Sequence, residues 1–255
     1  MSSTLTDQGP VRSVRLAARA VEAVKVYGSG DASVRALDGV TVDFEAERFT
    51  AVMGPSGSGK STLLHCMAGL DSLTTGHVFI GDVDLTTQSE KKMTLLRRDK
   101  VGFIFQTFNL VPTLNALENI TLPLDIAGRK PEQSWIDRIV STVGLADRLT
   151  HRPSELSGGQ QQRVAAARAL SSRPEIIFAD EPTGNLDSRS SAQLLDFMGA
   201  AVRDFGQTIV MVTHDALAAS HANRVVFLVD GQVEDEMADP TTDRILDRIK
   251  SLGGE

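Results

Sequence analysis

The chain has 255 residues and a hydrophobic content of 41%, enough for one large α/β domain or two small ones with a sizeable buried core. Its 33 acidic residues against 26 basic ones leave a formal charge of −7, which disfavours nucleic acid as a partner, and Cys66 as the only cysteine excludes an intramolecular disulfide or a thiolate metal cluster. The longest apolar runs, residues 209–212 and 225–229, fall far short of the ~20 residues of a membrane span, and residues 1–10 lack the pattern of a secretory signal. A cytoplasmic protein is expected, and any membrane role requires other subunits to supply the span.

From the amino terminus, residues 1–13 are polar and read as a flexible lead-in. Alternating apolar positions from Val14 through Val26 predict a half-buried strand, with short strands expected at 34–37 and 40–44. A continuous apolar strand at 49–53 then runs into a glycine-rich turn, and a helix opens at Gly59 and reaches about Gly69. Residues 77–80 and 101–105 read as strands, with the polar, helix-compatible stretch 89–98 between them. Apolar spacings of three and four at 114–117, 135–143 and 161–170, punctuated by Pro112, Pro131 and Pro153, predict helices. Strand signals return at 175–179, 208–213 and 224–229, separated by helical stretches, and residues 239–255 read as a terminal helix. This alternation predicts an α/β protein with a largely parallel, doubly wound sheet and an inserted helical subdomain.

Gly54-Pro55-Ser56-Gly57-Ser58-Gly59-Lys60-Ser61 matches the phosphate-loop pattern and lies where that pattern requires, between an apolar strand and a helix that continues through Thr62. The glycines let successive backbone N–H groups converge on phosphate oxygens, and the helix N-terminus adds partial positive charge. Lys60 can reach the β- and γ-phosphates, and the Ser61 hydroxyl can ligate Mg²⁺. The loop points to a nucleotide without naming the reaction, because kinases, GTPases and helicases also carry it.

A second apolar stretch, 176–179, ends in Asp180 and Glu181 at the C-terminal edge of the expected sheet, where ligands bind in this architecture. Asp180 is placed to hold Mg²⁺ through its water shell, and Glu181 to orient and activate the attacking water. His214 follows another apolar strand to the same edge, where an imidazole could bond the γ-phosphate or the water.

With Leu156-Ser157-Gly158-Gly159-Gln160 added, the chain resembles the ATP-binding cassette family, whose motifs occur here once each and in order between Tyr27 and His214. The resemblance implies a P-loop ABC ATPase domain over 14–237, with a mostly parallel sheet, an N-terminal antiparallel β-subdomain and an inserted helical subdomain at about 107–170. A helical tail covers 238–255. It also implies that Ser157, Gly158, Gly159 and Gln160 contact ATP held by the opposite copy, making ATP the glue of a head-to-tail homodimer. In the same way it makes Gln106 a ligand of Mg²⁺ or water, Tyr27 a ring against adenine, and Asp187, in Gly184-Asn185-Leu186-Asp187, a dimer-interface residue.

The stretch from Phe105 to Pro112, with Glu118-Asn119, Leu122-Pro123 and Glu181-Pro182-Thr183, resembles the lipoprotein-release and macrolide-export branch, which includes cell-division relatives. That resemblance implies a separate membrane permease as partner and a place on the cytoplasmic face of the membrane. It leaves open a lipoprotein, lipid, drug or peptide as cargo, or regulation of an extracytoplasmic protein. A soluble ABC ATPase acting on DNA or ribosomes should carry a second cassette, a zinc insertion or a long coiled coil, and a phosphate-loop kinase leaves the Ser157 motif unexplained.

Overall fold

A computed structural model describes residues 15–252, so the expected flexible stretch 1–13 and the last residues of the tail lie outside it. The chain begins with β1 (Leu16–Tyr27) and β2 (Val34–Glu45), which pair antiparallel. Two short strands were expected between residues 34 and 44. The structure has one continuous strand instead, because Gly39, at φ +72, is absorbed as an irregularity in the β1 pairing, where register shifts accumulate. With β4 (Thr75–Ile80) and β5 (Val83–Asp84) these strands form a four-stranded antiparallel sheet in the order β2-β1-β4-β5.

The second sheet has six strands. It comprises β3 (Phe49–Met53), β6 (Val101–Phe105), β7 (Ile176–Asp180), β8 (Ile209–Val212), β9 (Arg224–Val229) and β10 (Gln232–Ala238), in the order β10-β9-β3-β8-β7-β6. All its pairings are parallel except that of β10, a hairpin return from β9 whose residues alternate between exposed and half-buried. β10 was not expected from the sequence, because the charged run Glu234, Asp235 and Glu236 masks the alternation.

Every residue of β3 and β8 is buried, as expected for strands covered on both faces. Phe49, Ala51 and Met53 join one core with Ile209 and Met211, and Val52 joins the other with Val210 and Val212. The first core is closed by α3 (Ala116–Ile126), α4 (Gln133–Val143), α5 (Gly158–Ser171) and α6 (Ser188–Phe205). The second is closed by α1 (Lys60–Met67), which contributes Leu63, Leu64 and Met67, and by the antiparallel sheet. The remaining helices are α2 (Glu90–Lys100), α7 (Ala216–Ala219) and α8 (Thr242–Leu252), the last inserting Ile245 into the first core.

Helix α3 runs longer than its apolar spacing predicted and contains Pro123. Buried Asn119 holds its entry in place, accepting from the Val111 N–H at 2.8 Å and donating to the carbonyls of Val111, Leu114 and Asn115. No helix among the described residues is long and apolar enough to cross a membrane.

Candidate active site

Parallel pairing fixes which residues meet at the sheet edge. Val52 and Asp180 both register with Val212, and Asp180 registers with Phe105, so the segments starting at Gly54, Gln106, Glu181 and Thr213 leave the sheet side by side.

The phosphate loop needs glycine at two of its positions. Gly54 has φ +157, and a Cβ there would lie 1.9 Å from the Leu228 carbonyl oxygen; Gly59 has φ +96, and a Cβ there would lie 2.2 Å from the Ala36 carbonyl oxygen. Gly59 is also the N-cap of α1 and gives it no side-chain cap, so the first N–H groups of the helix have no side-chain acceptor. Buried Ser58 Oγ has no hydrogen-bond partner either. Lys60 folds back and donates from Nζ to the Pro55 carbonyl at 2.6 Å. Burial lowers the Lys60 pKa, against the opposing pull of the Glu181 and Asp180 carboxylates. An uncapped helix tip, an orphan hydroxyl and the ammonium of a buried lysine together make a site for a polyanion.

Beside the loop, Ser61 Oγ donates to Asp180 Oδ1 at 3.0 Å, and His65 Nε2 lies 3.4 Å from Asp180 Oδ2. Among the described residues no group of three or more His, Cys, Asp or Glu side chains could hold a metal. One hydroxyl and one carboxylate nevertheless fit Mg²⁺, which takes few protein ligands and completes its shell with water and phosphate oxygens. Glu181 follows at φ +46, a left-handed conformation costly for a side-chain-bearing residue and characteristic of functional sites. Its Oε1 is 2.9 Å from His214 Nδ1, and its side chain is largely buried while that of His214 is open to solvent.

Gln106 does not reach these groups by a hydrogen bond. Its Nε2 donates to Asn185 Oδ1 at 3.3 Å, and Asn185 Nδ2 returns a bond to the Gln106 carbonyl at 3.1 Å. Tyr27 lies at the end of β1, its hydroxyl 2.7 Å from Asp71 Oδ2. Asp187 caps α6, both its oxygens accepting from Ser190 (backbone N–H and hydroxyl, each 2.9 Å), and those bonds hold its carboxyl below the usual range.

The tip of α5 is closed on itself. Ser157 Oγ accepts from the Gln160 N–H at 3.3 Å while Gln160 Oε1 accepts from the Ser157 N–H at 2.8 Å, a capping box. Gly159 packs against Ser190, which a Cβ would approach to 2.3 Å, and Gly158 faces the Phe108 ring. None of the hydrogen bonds of Ser157 or Gln160 reaches residues 54–62 of the same chain.

Four side chains that no sequence motif singled out tie the site together. His65 touches Asp180, and Asp71 holds Tyr27. Buried Gln162 donates to the carbonyls of Phe105 (3.0 Å) and Pro182 (2.6 Å), joining α5 to the segments that carry Gln106 and Glu181. Arg168 donates to the carbonyls of Asn109 (2.6 Å) and Phe108 (3.0 Å), and its burial lowers its pKa. The signal available for Gln162 and Arg168 was their polarity on a helix otherwise lined with buried alanines.

Residues 37–184 match the ABC transporter family. The chain belongs to that family. It is therefore an ABC-type ATPase, an ATP-binding and ATP-hydrolysing transporter subunit with the P-loop ABC ATPase fold. It is 44% identical to the lipoprotein-releasing system ATP-binding protein LolD 1 of Chlorobium chlorochromatii, over 77% of this chain and 81% of that one. It is 42% identical to the macrolide export ATP-binding/permease protein MacB of Bdellovibrio bacteriovorus, over 83% of this chain and 32% of that longer protein. Among solved structures, the dimeric post-hydrolysis state of the ATP-binding cassette MJ0796 bound to ADP and Pi is similar, with a TM-score of 0.78 and 38% identity. That match covers 88% of this chain and 99% of the other. These relatives put the ABC ATPase in the lipoprotein-release and macrolide-export branch.

Proposed function

We propose that this ABC ATPase cleaves Mg-ATP at the edge formed by Lys60, Ser61, Gln106, Asp180, Glu181 and His214, as a head-to-tail homodimer that drives a separate membrane permease. The observation that carries the reading is the adjacency, on neighbouring parallel strands, of the Ser61–Asp180 contact (3.0 Å) and the Glu181–His214 contact (2.9 Å) beside an uncapped helix tip. Residues Gly54 to Thr62 wrap the triphosphate, Lys60 leaves the Pro55 carbonyl to meet its charge, and Tyr27 offers a ring to the base.

Ser61 and Asp180, 3.0 Å apart, would hold Mg²⁺, with Gln106, here bonded to Asn185, as a further ligand of the ion or its water. When bound, Mg²⁺ neutralises charge on the β- and γ-phosphates. Glu181 accepts the proton of the attacking water, while His214, bonded to Glu181 through Nδ1, keeps Nε2 for the γ-phosphate or the water. In the dimer, Ser157, Gly158, Gly159 and Gln160 of one copy close over the ATP of the other, with Asp187 crossing the interface. Closure then opens again after hydrolysis, and the motion is the output.

The catalytic domain runs over 14–237, with the subdomain at about 107–170 facing the permease, and the tail from 238 onward carries α8 (Thr242–Leu252). The subunit works on the cytoplasmic face of the membrane, attached through the permease. The proposed cargo is a lipoprotein, lipid, drug or peptide, or the output is regulation of an extracytoplasmic protein; the names of the relatives, lipoprotein-releasing and macrolide export, favour the first and third of these.

The test is Glu181→Gln. Phosphate release should fall about 100-fold or more, the scale of a lost general base, while ATP stays bound and sedimentation shows a dimer that depends on Mg-ATP. Near-parent hydrolysis would remove Glu181 from its role. A variant that remains single with saturating Mg-ATP would remove the dimer.

A further inference from the structure

Tyr27 is the only tyrosine of the chain. It ends β1 two residues after Lys25, and the period-two alternation of a strand puts both side chains on one face. Lys25 Nζ lies over the Tyr27 ring, 4.8 Å from its centre. The same ammonium donates to Asp71 Oδ1 at 2.6 Å and to the Ser72 carbonyl at 2.6 Å, while the Tyr27 phenol donates to Asp71 Oδ2 at 2.7 Å. Each oxygen of one carboxylate thus has its own task, one fixing the cation over the ring and the other fixing the ring's hydroxyl.

Asp71 sits in the turn after α1, its N–H bonded to the His65 carbonyl at 3.2 Å, so the clamp is anchored to the helix that starts at the phosphate loop. A tyrosine at a strand end can otherwise turn about both side-chain torsions. With the hydroxyl anchored and an ammonium over one face, the ring keeps one orientation, and it is 41% exposed.

The charges agree with a working clamp. Burial and the bond to Asp71 push the Tyr27 phenol above its ordinary pKa. Burial opposes the charge on Asp71, yet the bonds from Lys25, Tyr27 and the Ser72 N–H hold its carboxyl below the usual range.

We infer that Asp71 is a positioning residue for the nucleotide base: through its bonds to the phenol and to Lys25 it fixes the Tyr27 ring in the orientation on which the purine of ATP stacks. The inference rests on the reading that Tyr27 receives the base.

The experiment measures, by calorimetry, the affinity of the parent chain and of Tyr27→Ala, Tyr27→Phe, Asp71→Ala and Asp71→Asn for Mg-ATP and for Mg-tripolyphosphate, which has no base. Tyrosinate absorbance is titrated alongside, a signal that comes from one residue. Tyr27→Ala should weaken ATP binding about tenfold, and Tyr27→Phe and Asp71→Ala about threefold to fivefold, with tripolyphosphate binding unchanged within about twofold. Asp71→Asn should recover most of the affinity, since its amide oxygen still accepts from the phenol, and in Asp71→Ala the phenol should titrate closer to the ordinary ~10. If Tyr27→Phe and Asp71→Ala bind ATP like the parent while Tyr27→Ala does not, the clamp has no positioning role and the stacking reading stands. Parent-like binding by Tyr27→Ala overturns both. A parallel loss of tripolyphosphate affinity overturns the inference as well, because the base is then not what is lost. Should Asp71→Ala fail to fold, Tyr27→Phe decides alone.

Discussion

Two glycine-rich helix tips in this chain are built in opposite ways. The tip of α1 has a left-handed glycine as its N-cap and no side-chain cap, and its lysine turns inward onto a loop carbonyl. The tip of α5 is closed by the reciprocal Ser157–Gln160 capping box. A helix end without partners is costly unless a ligand satisfies it, so the first tip is made for an anion held by its own chain. The second is satisfied by its own capping box without a ligand, which suits the proposed role of meeting the phosphate of a partner copy. The Ser157 hydroxyl accepts from the helix, which leaves its own proton to donate. On the proposed function, the difference is that between a resident site and one completed by assembly.

Lys60→Ala strikes the resident tip and should have the largest effect. Loss of a charge-assisted contact with the phosphates lowers ATP affinity about 100-fold, measured with a fluorescent nucleotide, and unchanged affinity would break the assignment of this tip.

The same substitution at the two tips sharpens the contrast. Gly59→Ala forces a Cβ to within 2.2 Å of a backbone oxygen at φ +96 and should cost about 2 kcal/mol in chemical denaturation. Gly158→Ala meets only the Phe108 ring at 3.5 Å, so stability should stay within about 0.5 kcal/mol of the parent or rise, alanine being the better helix former. Its methyl group nevertheless stands at the tip, and ATP-driven pairing should weaken about tenfold in sedimentation. Equal loss of stability at both glycines would erase the distinction.

The smallest expected effect is on pH dependence. The α5 cap contains no titrating group, whereas Tyr27, beside α1, rests on Lys25 and Asp71. The depressed carboxyl of Asp71 contributes stability that is present above its unfolded pKa of ~3.9 and is lost as pH falls through the lower folded value. Burial works against the charge on Lys25, but Asp71 raises its pKa, so its contribution is present below the unfolded ~10.4 and is lost as pH rises through the higher folded value. Thermal melts of Asp71→Asn should therefore fall off less steeply than the parent on both the acid and the alkaline side, and identical profiles would show that the pair adds nothing.

Much of this was legible beforehand because it is written in short contiguous runs. The phosphate loop, the Asp180–Glu181 pair and the Ser157–Gln160 motif each need only a few adjacent residues between recognisable strands and helices. β3, β6, β7, β8 and β9 stood out as apolar segments because both faces of each are covered. Where local signals conflicted with pairing, pairing prevailed. Two short strands were expected at 34–37 and 40–44, yet antiparallel partners along β1 carry one strand through Gly39, and charged β10 is held by its hairpin with β9.

What the sequence determined alone is the family and the places of its motifs: a glycine-rich loop between a buried strand and α1, two carboxylates at the end of another buried strand, and a Ser-Gly-Gly-Gln run at the tip of α5. Tertiary structure decided the supports: His65 against Asp180, Asp71 under Tyr27, Gln162 between two loop carbonyls and Arg168 beneath the segment after Gln106. Those contacts join positions far apart in the chain, 44 residues for Asp71 and Tyr27 and 57 for Gln162 and Phe105. No local propensity or periodicity encodes them, since only packing the two sheets and the helices brings the partners within hydrogen-bond reach.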